Sequence, residues 1–433
     1  MGWAYDADSG KYSIFKNGIH QGTFTASTSR TYFPAITMIS TSQIVEANFG
    51  QKPFKFPPPD GYGPVNDANV RPETVIARPD QYVGVATYTG NSDVQGVNIG
   101  FKPDLVWIKS REVNGYDHRL IDSVRGIDQL LYSSLNNDQD YGTNMTSFDV
   151  NGFTLDSSTH TNLDTQPFVA WSWKAGGGPG ITSTSFWKDD KEYASSSAMG
   201  LTNGSATIRS ASVGTKQGFS IVAYNSTGSS LTLDHGLSQK PDFFIFKCTS
   251  HDQHWAVGHS YDYTKESYLG VDGDLAAGYS TTSWGSGPDN NVFTLGTSDY
   301  VNTANREYVC YSWHNVPGLQ KFGSFTGNGD ADGPFIELGF RPVIIWVKRT
   351  YTNGYNWVVQ DSERQKHNPV SEYLVLNSAN PLGSGFNVDF LSNGFKLRNA
   401  NGNMNGTSTP NYLYCAWAES PSINLYGGGS NAR

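Results

Sequence analysis

Two stretches of this chain hold a carboxylate and a guanidinium at one spacing: Asp122-Ser123-Val124-Arg125 and Asp361-Ser362-Glu363-Arg364. Such a pair can orient a substrate. It also makes a self-contained turn, in which the Asp accepts backbone N–H bonds and the Arg braces it. At the third place where the pattern is due, His259 stands in for the Asp; loss in one copy favours the turn. Asn328, Asp330 and Asp332 set oxygens at alternate positions, as the front of a calcium loop does. The twelfth position of that loop, where a Glu belongs, is Gly339, and Glu337 comes two residues early. These three residues are the candidate metal site; no cofactor is expected, with calcium here as the one weak candidate.

The remaining chemistry is thin. His251 and His254 lie three apart in a His-Asp-Gln-His loop, without a third ligand to complete a zinc site. No nucleophile elbow, phosphate loop or dinucleotide fingerprint occurs. The 39 Asp and Glu residues offer many carboxylates for glycoside hydrolysis, but sequence alone gives no separation with which to pair them. Cys248, Cys310 and Cys415 read as small apolar fillers rather than a disulfide set. The expectation is therefore a chain that is not an enzyme. Loops rich in Tyr, Trp, Asn and Asp, at 136–144, 277–291 and 399–411, have the composition that holds sugars, and equally that of hydrated turns.

What must position these residues is a repeat. KPDLVWIK (102–109), KPDFFIFK (240–247) and RPVIIWVK (341–348) each give a Pro, an apolar run and a Lys: Lys109, Lys247, Lys348. YTGN (88–91), YNST (224–227) and FTGN (325–328) come before them. NGFTL (151–155), NVFTL (291–295) and NGFKL (393–397) follow. FVAWSW (168–173), YVCYSW (308–313) and YLYCAW (412–417) close each copy. The runs are apolar on both alternations, as in strands buried on both faces. Trp107, Trp173, Trp313, Trp346 and Trp417 are the expected core anchors.

Composition agrees. Only 16% of the residues are charged and 47 are Gly, which suits short strands and turns better than long helices. The net charge of −9 argues against nucleic acid as a partner. No apolar run approaches 18 residues, so no membrane-inserted helix is expected, and MGWAYDADSG has neither the basic nor the apolar region of a signal peptide. The fold class expected is all-β: tandem β-sandwich, jelly-roll-like domains in three related repeats. The divisions are 1–62, a partial sandwich; 63–81, a linker; 82–178, repeat one; 179–217, an insertion or linker; 218–318, repeat two; 319–420, repeat three; and 421–433, a tail.

The front end carries a resemblance. The hairpin YDADSGKYSIFKNG, the FPAI strand and NFGQKPF followed by PPPDGY are similar to the C-terminal half of a SPRY domain. Half a sandwich leaves an apolar face bare. A SPRY-like piece followed by three such units also resembles structural and tail proteins of marine and aquatic bacteriophages. That resemblance implies a virion tail fibre or tip protein, host-facing and contacting a cell-surface receptor or glycan without catalysis. It implies a location in the virion tail, assembly in the host cytoplasm, other tail proteins as partners, and a homotrimer. The alternatives are a structural adaptor or decoration protein without receptor contact, and a polysaccharide-degrading tail enzyme.

Overall fold

The computed structural model describes residues 2–27 except 7 and 8, scattered residues between 44 and 62, and residues 76–421 except 77, 181–184, 274–277, 280–281, 351 and 408–410. The chain divides into two compact units, 1–73 and 74–433.

The first unit holds a three-stranded antiparallel sheet of Gly2–Asp6, Lys11–Lys16 and Ile19–Thr25. Asn17 (φ 55°) and Gly18 (φ 80°) make the two-residue turn that joins the last two strands. The register puts Trp3 opposite Ile14, Tyr5 opposite Tyr12, and Tyr12 opposite Phe24, so these side chains share one face. Trp3 and Phe24 are about half exposed there. The FPAI strand and parts of NFGQKPF and PPPDGY lie outside the described residues, as do 422–433.

The second unit is nearly all strand and contains three modules of one topology. Each principal sheet runs, in spatial order, leading, closing, core, return and fifth strand. In module one these are Val83–Thr89, Pro167–Trp173, Leu105–Ser110, Arg119–Asp122 and Gly126–Leu131. In module two they are Phe219–Asn225, Glu307–Trp313, Phe243–Cys248, Trp255–His259 and Lys265–Leu269. In module three they are Gln320–Thr326, Asn411–Pro421, Phe340–Arg349, Val358–Asp361 and Leu374–Val375. A smaller sheet forms the second layer of each sandwich: Gln95–Asn98 with Gly152–Leu155 and Met145–Asp149; Leu231–Asp234 with Val292–Leu295; Phe335–Glu337 with Gly394–Leu397 and Val388–Leu391.

Period-two alternation explains why the core strands are apolar throughout. Val106 and Ile108, Phe244 and Phe246, and Ile345 and Val347 point into their own sandwiches, each with a separate core. Leu105 and Trp107, Phe243 and Ile245, and Ile344 and Trp346 point the other way, into one core shared by all three modules. The principal sheets thus surround a common axis. Trp173, Trp313 and Trp417, equivalent in sequence, meet there edge to face with ring centroids 5.4–6.3 Å apart. All five expected anchor tryptophans are at most 1% exposed.

Residues 179–217 are an insertion with strands of its own rather than a linker. Phe186–Lys188, Lys191–Tyr193 and Thr207–Gly214 are strands that extend the second module's principal sheet beyond its leading strand. Ala211, Val213 and Leu201 enter that module's own core, so the segment is paid for by burial rather than left to span a gap. At the end of the stretch read as a linker, Pro79–Gln81 form a 3₁₀ turn that leads into module one.

Candidate functional site

The Asp–Arg pairs are joints between modules. Asp122 Oδ2 takes Arg125 Nε at 2.6 Å, while Oδ1 accepts the backbone N–H groups of Val124 and Arg125. Arg125 Nη2 donates to Leu120 O at 3.1 Å. Asp361 and Arg364 repeat this geometry, with Val359 O as the carbonyl. Both pairs are buried. A neighbouring module then completes each carboxylate: Tyr311 Oη donates to Asp122 Oδ2 at 2.7 Å, and Trp171 Nε1 to Asp361 Oδ2 at 2.9 Å. Tyr311 and Trp171 each stand two residues before the closing Trp. In module three that place is Cys415, which has no strong donor, and the joint it belongs to holds His259 instead of an Asp. His259 Nδ1 accepts Tyr261 N–H, so Nε2 donates to Tyr414 O at 3.1 Å. Burial lowers the His259 pKa to about 4, which keeps the ring neutral.

Two more polar rings follow the same cycle. Trp255 Nε1 donates to Tyr132 O and Leu135 O, Trp357 Nε1 to Tyr268 O, and His118 Nε2 to Val375 O. The tautomer of His118 is fixed because Trp107 Nε1 donates to its Nδ1 at 2.9 Å. The three repeated lysines also reach across: Lys109 Nζ to Ala379 O, Lys247 Nζ to Asn136 O, and Lys348 Nζ to Gly273 O. Burial pushes Lys109 and Lys247 down to about 8. In the last two rings module one reaches module three, module two reaches module one, and module three reaches module two; the first ring follows the same order except at His259, where module two donates to module three.

Two further devices fix the loops. Asp104 Oδ2 accepts the N–H groups of Ala175 and Gly177 just past the closing strand. Asp242 does the same for Asn315 N–H in module two, and burial raises both carboxyls. The third copy has Val343 there. Fully buried Asn162, Asn302 and Asn405 each end a single helical turn and clamp the loop after the leading strand. Their Oδ1 atoms accept Asn91, Thr227 and Asn328 N–H respectively.

The third clamp accounts for the calcium-like loop. Asn405 Nδ2 donates to Asn328 Oδ1, Asp330 O and Asn399 O. Asp330 Oδ1 accepts Asp332 N–H, and the Asp332 carboxylate turns to Lys396 and Arg398, which hold its pKa below the usual range. The motif's oxygens are thus engaged in the clamp and the turn around it, and module two builds the same clamp without acidic residues. Among the described residues, no three His, Cys, Asp or Glu side chains converge as metal ligands.

The axis has two unlike ends. At the tryptophan end the chain enters, Ile76 N–H bonding to Pro317 O, and the last strand leaves, Pro421 pairing with Phe340. The lysine end carries the loops between core and return strands and the Asn-clamped turns. Polar and half-buried aromatic side chains crowd there: Tyr116 beside His160, His254 beside Tyr268 and Tyr300, and Arg349 over Tyr355. The 136–144 loop starts at this end and then runs back along the sheet, exposing Tyr141 opposite Gln129. His254 sits among these rings, while His251 bonds to Ser250, so the two do not form a ligand pair.

No curated protein and no solved structure matches this chain. A family model matches residues 78–421, so it spans all three modules as one domain. The chain belongs to that family, described as a domain of unknown function (DUF7483).

Proposed function

We propose that this chain is a structural component of a bacteriophage tail that meets the host surface through the lysine end of its three-module body, without catalysis. One observation carries the reading. Both connections of the body leave from the tryptophan end, so attachment through residues before 74 or after 421 would leave the lysine end clear for a partner. The use of buried polar groups supports it too: the Asp–Arg pairs and lysines are spent on joints, as in a rigid support. The resemblance to phage tail proteins supplies the setting. The reading includes a homotrimer, other tail proteins as partners and a glycan or protein receptor.

The test is a purified particle probed with antibody fragments against residues 112–117 and 136–141. Binding at the tail with loss of host adsorption is expected. A chain missing from purified particles, or adsorption untouched by saturating fragments, would sink the proposal. Light scattering decides the trimer: a stable monomer removes it, leaving the one chain's modules as the whole threefold body.

A further inference from the structure

We infer that the lysine end carries three sugar-binding positions, one per module, each built on a half-buried tyrosine beside a planar nitrogen-bearing side chain. The positions are Tyr116 with His160, Tyr300 with His254, and Tyr355 with Arg349. The inference rests on the host-contact reading above and gives it a ligand class.

The geometry is explicit. The rings of Tyr116 and His160 lie 5.0 Å apart at 36°, and those of Tyr300 and His254 lie 5.1 Å apart at 79°. The Arg349 guanidinium carbon sits 4.1 Å from the Tyr355 ring centre. All three tyrosines are partly exposed. A pyranose offers an apolar C–H face that an aromatic ring can cover, and a rim of hydroxyls that planar N–H groups can bind. Each pair supplies both parts.

Comparison of the modules argues against simple loop sealing. In modules one and three the tyrosine comes from the loop after the core strand, at equivalent positions before His118 and Trp357. In module two Gln253 occupies that place, and the tyrosine comes from the turn before Asn302. A ring kept only to seal its own loop would stay on that loop; here the donor loop changes and the pairing persists. Three weak positions around one axis suit a repeating surface polysaccharide, because linked sites bind with avidity beyond any single contact.

The full chain is tested on an immobilised panel of neutral, amino and acidic oligosaccharides. Wild type is expected to bind at least one class. Tyr116→Ala, Tyr300→Ala and Tyr355→Ala should each weaken binding about tenfold, and the triple variant should abolish it. Equal binding by the folded triple variant overturns these positions while leaving the host-contact reading intact. Failure of wild type on every member overturns the sugar assignment, whatever the adsorption experiment gives. Should the triple variant misfold, the chain is labelled with 3-fluorotyrosine and its resonances are assigned from single Tyr→Phe variants. The three signals must then move when a bound sugar is added, and unmoved signals overturn the inference.

Discussion

Removing the hydroxyl of Tyr311 tests the joint between modules one and two. In Tyr311→Phe the ring keeps its place in the shared core, and one bond is lost: the 2.7 Å donation to Asp122 Oδ2. A hydrogen bond to a charged group contributes about 1.5–3 kcal/mol. The larger penalty of about 3–5 kcal/mol for an uncompensated buried charge does not apply, because Arg125 and two backbone amides still hold the carboxylate. The expected cost is therefore about 2 kcal/mol, read from urea unfolding of the full chain by tryptophan fluorescence. A cycle with Asp122→Asn should show coupling of about 1–3 kcal/mol. Cys415→Ala is the control at the equivalent place: its joint uses the Tyr414 carbonyl, so only a sulfur's packing is lost, about 1 kcal/mol. Additivity of Tyr311→Phe and Asp122→Asn within about 0.5 kcal/mol would refute the joint.

Three other outcomes are expected. Burial raises Glu266 from 4.5 to about 7, against a bond from Ser283 that lowers it. The folded state then binds more protons than the unfolded state between those values, and stability falls as pH rises from 4.5 to 7; Glu266→Gln should stabilise the chain by up to about 3 kcal/mol at pH 8 and by little at pH 4, in melts at the two values. Asn162→Ala, Asn302→Ala and Asn405→Ala should each cost about 2–3 kcal/mol in urea unfolding, since each leaves several buried partners unbonded. Millimolar calcium should leave the melting temperature unchanged; a rise that Asp330→Asn abolishes would show that the Asp330 carboxylate leaves the Asp332 amide to bind the ion.

Much of the fold was legible because burial on two faces leaves a mark in a strand. LVWIK, FFIFK and IIWVK read as central strands, and they are. The reason for the second buried face was not legible. Alternation shows that both sides are covered without saying by what, and here the cover is the sibling modules. The missing Asp of copy two argued for a structural turn, and that reading holds; what replaces it depends on Cys415, some 150 residues away. The calcium-like loop shows how little alternate oxygens decide alone: they serve a cation or a chain of turn amides equally well, and Asn405, which bonds Asn328, lies beyond the motif. Three Asn residues 11 or 12 positions before the closing Trp were a readable signal that went unread. The 179–217 segment, polar and rich in Ser and Thr, hid strands that gain their burial only against module two.

The exchange at the His259 joint bears on why three modules share one chain. In a ring of identical subunits every interface uses the same two surfaces, so changing an Asp on one face demands a compensating change at all three joints. Encoding the modules in series removes that demand. One joint pairs Asp122 with Tyr311, the next pairs His259 with a backbone carbonyl opposite Cys415, and the third pairs Asp361 with Trp171. The Asp104 and Asp242 clamps hold the chain where it passes from one module to the next. The same freedom extends to the lysine end, where each module can vary its loops while the buried rings keep the three in step.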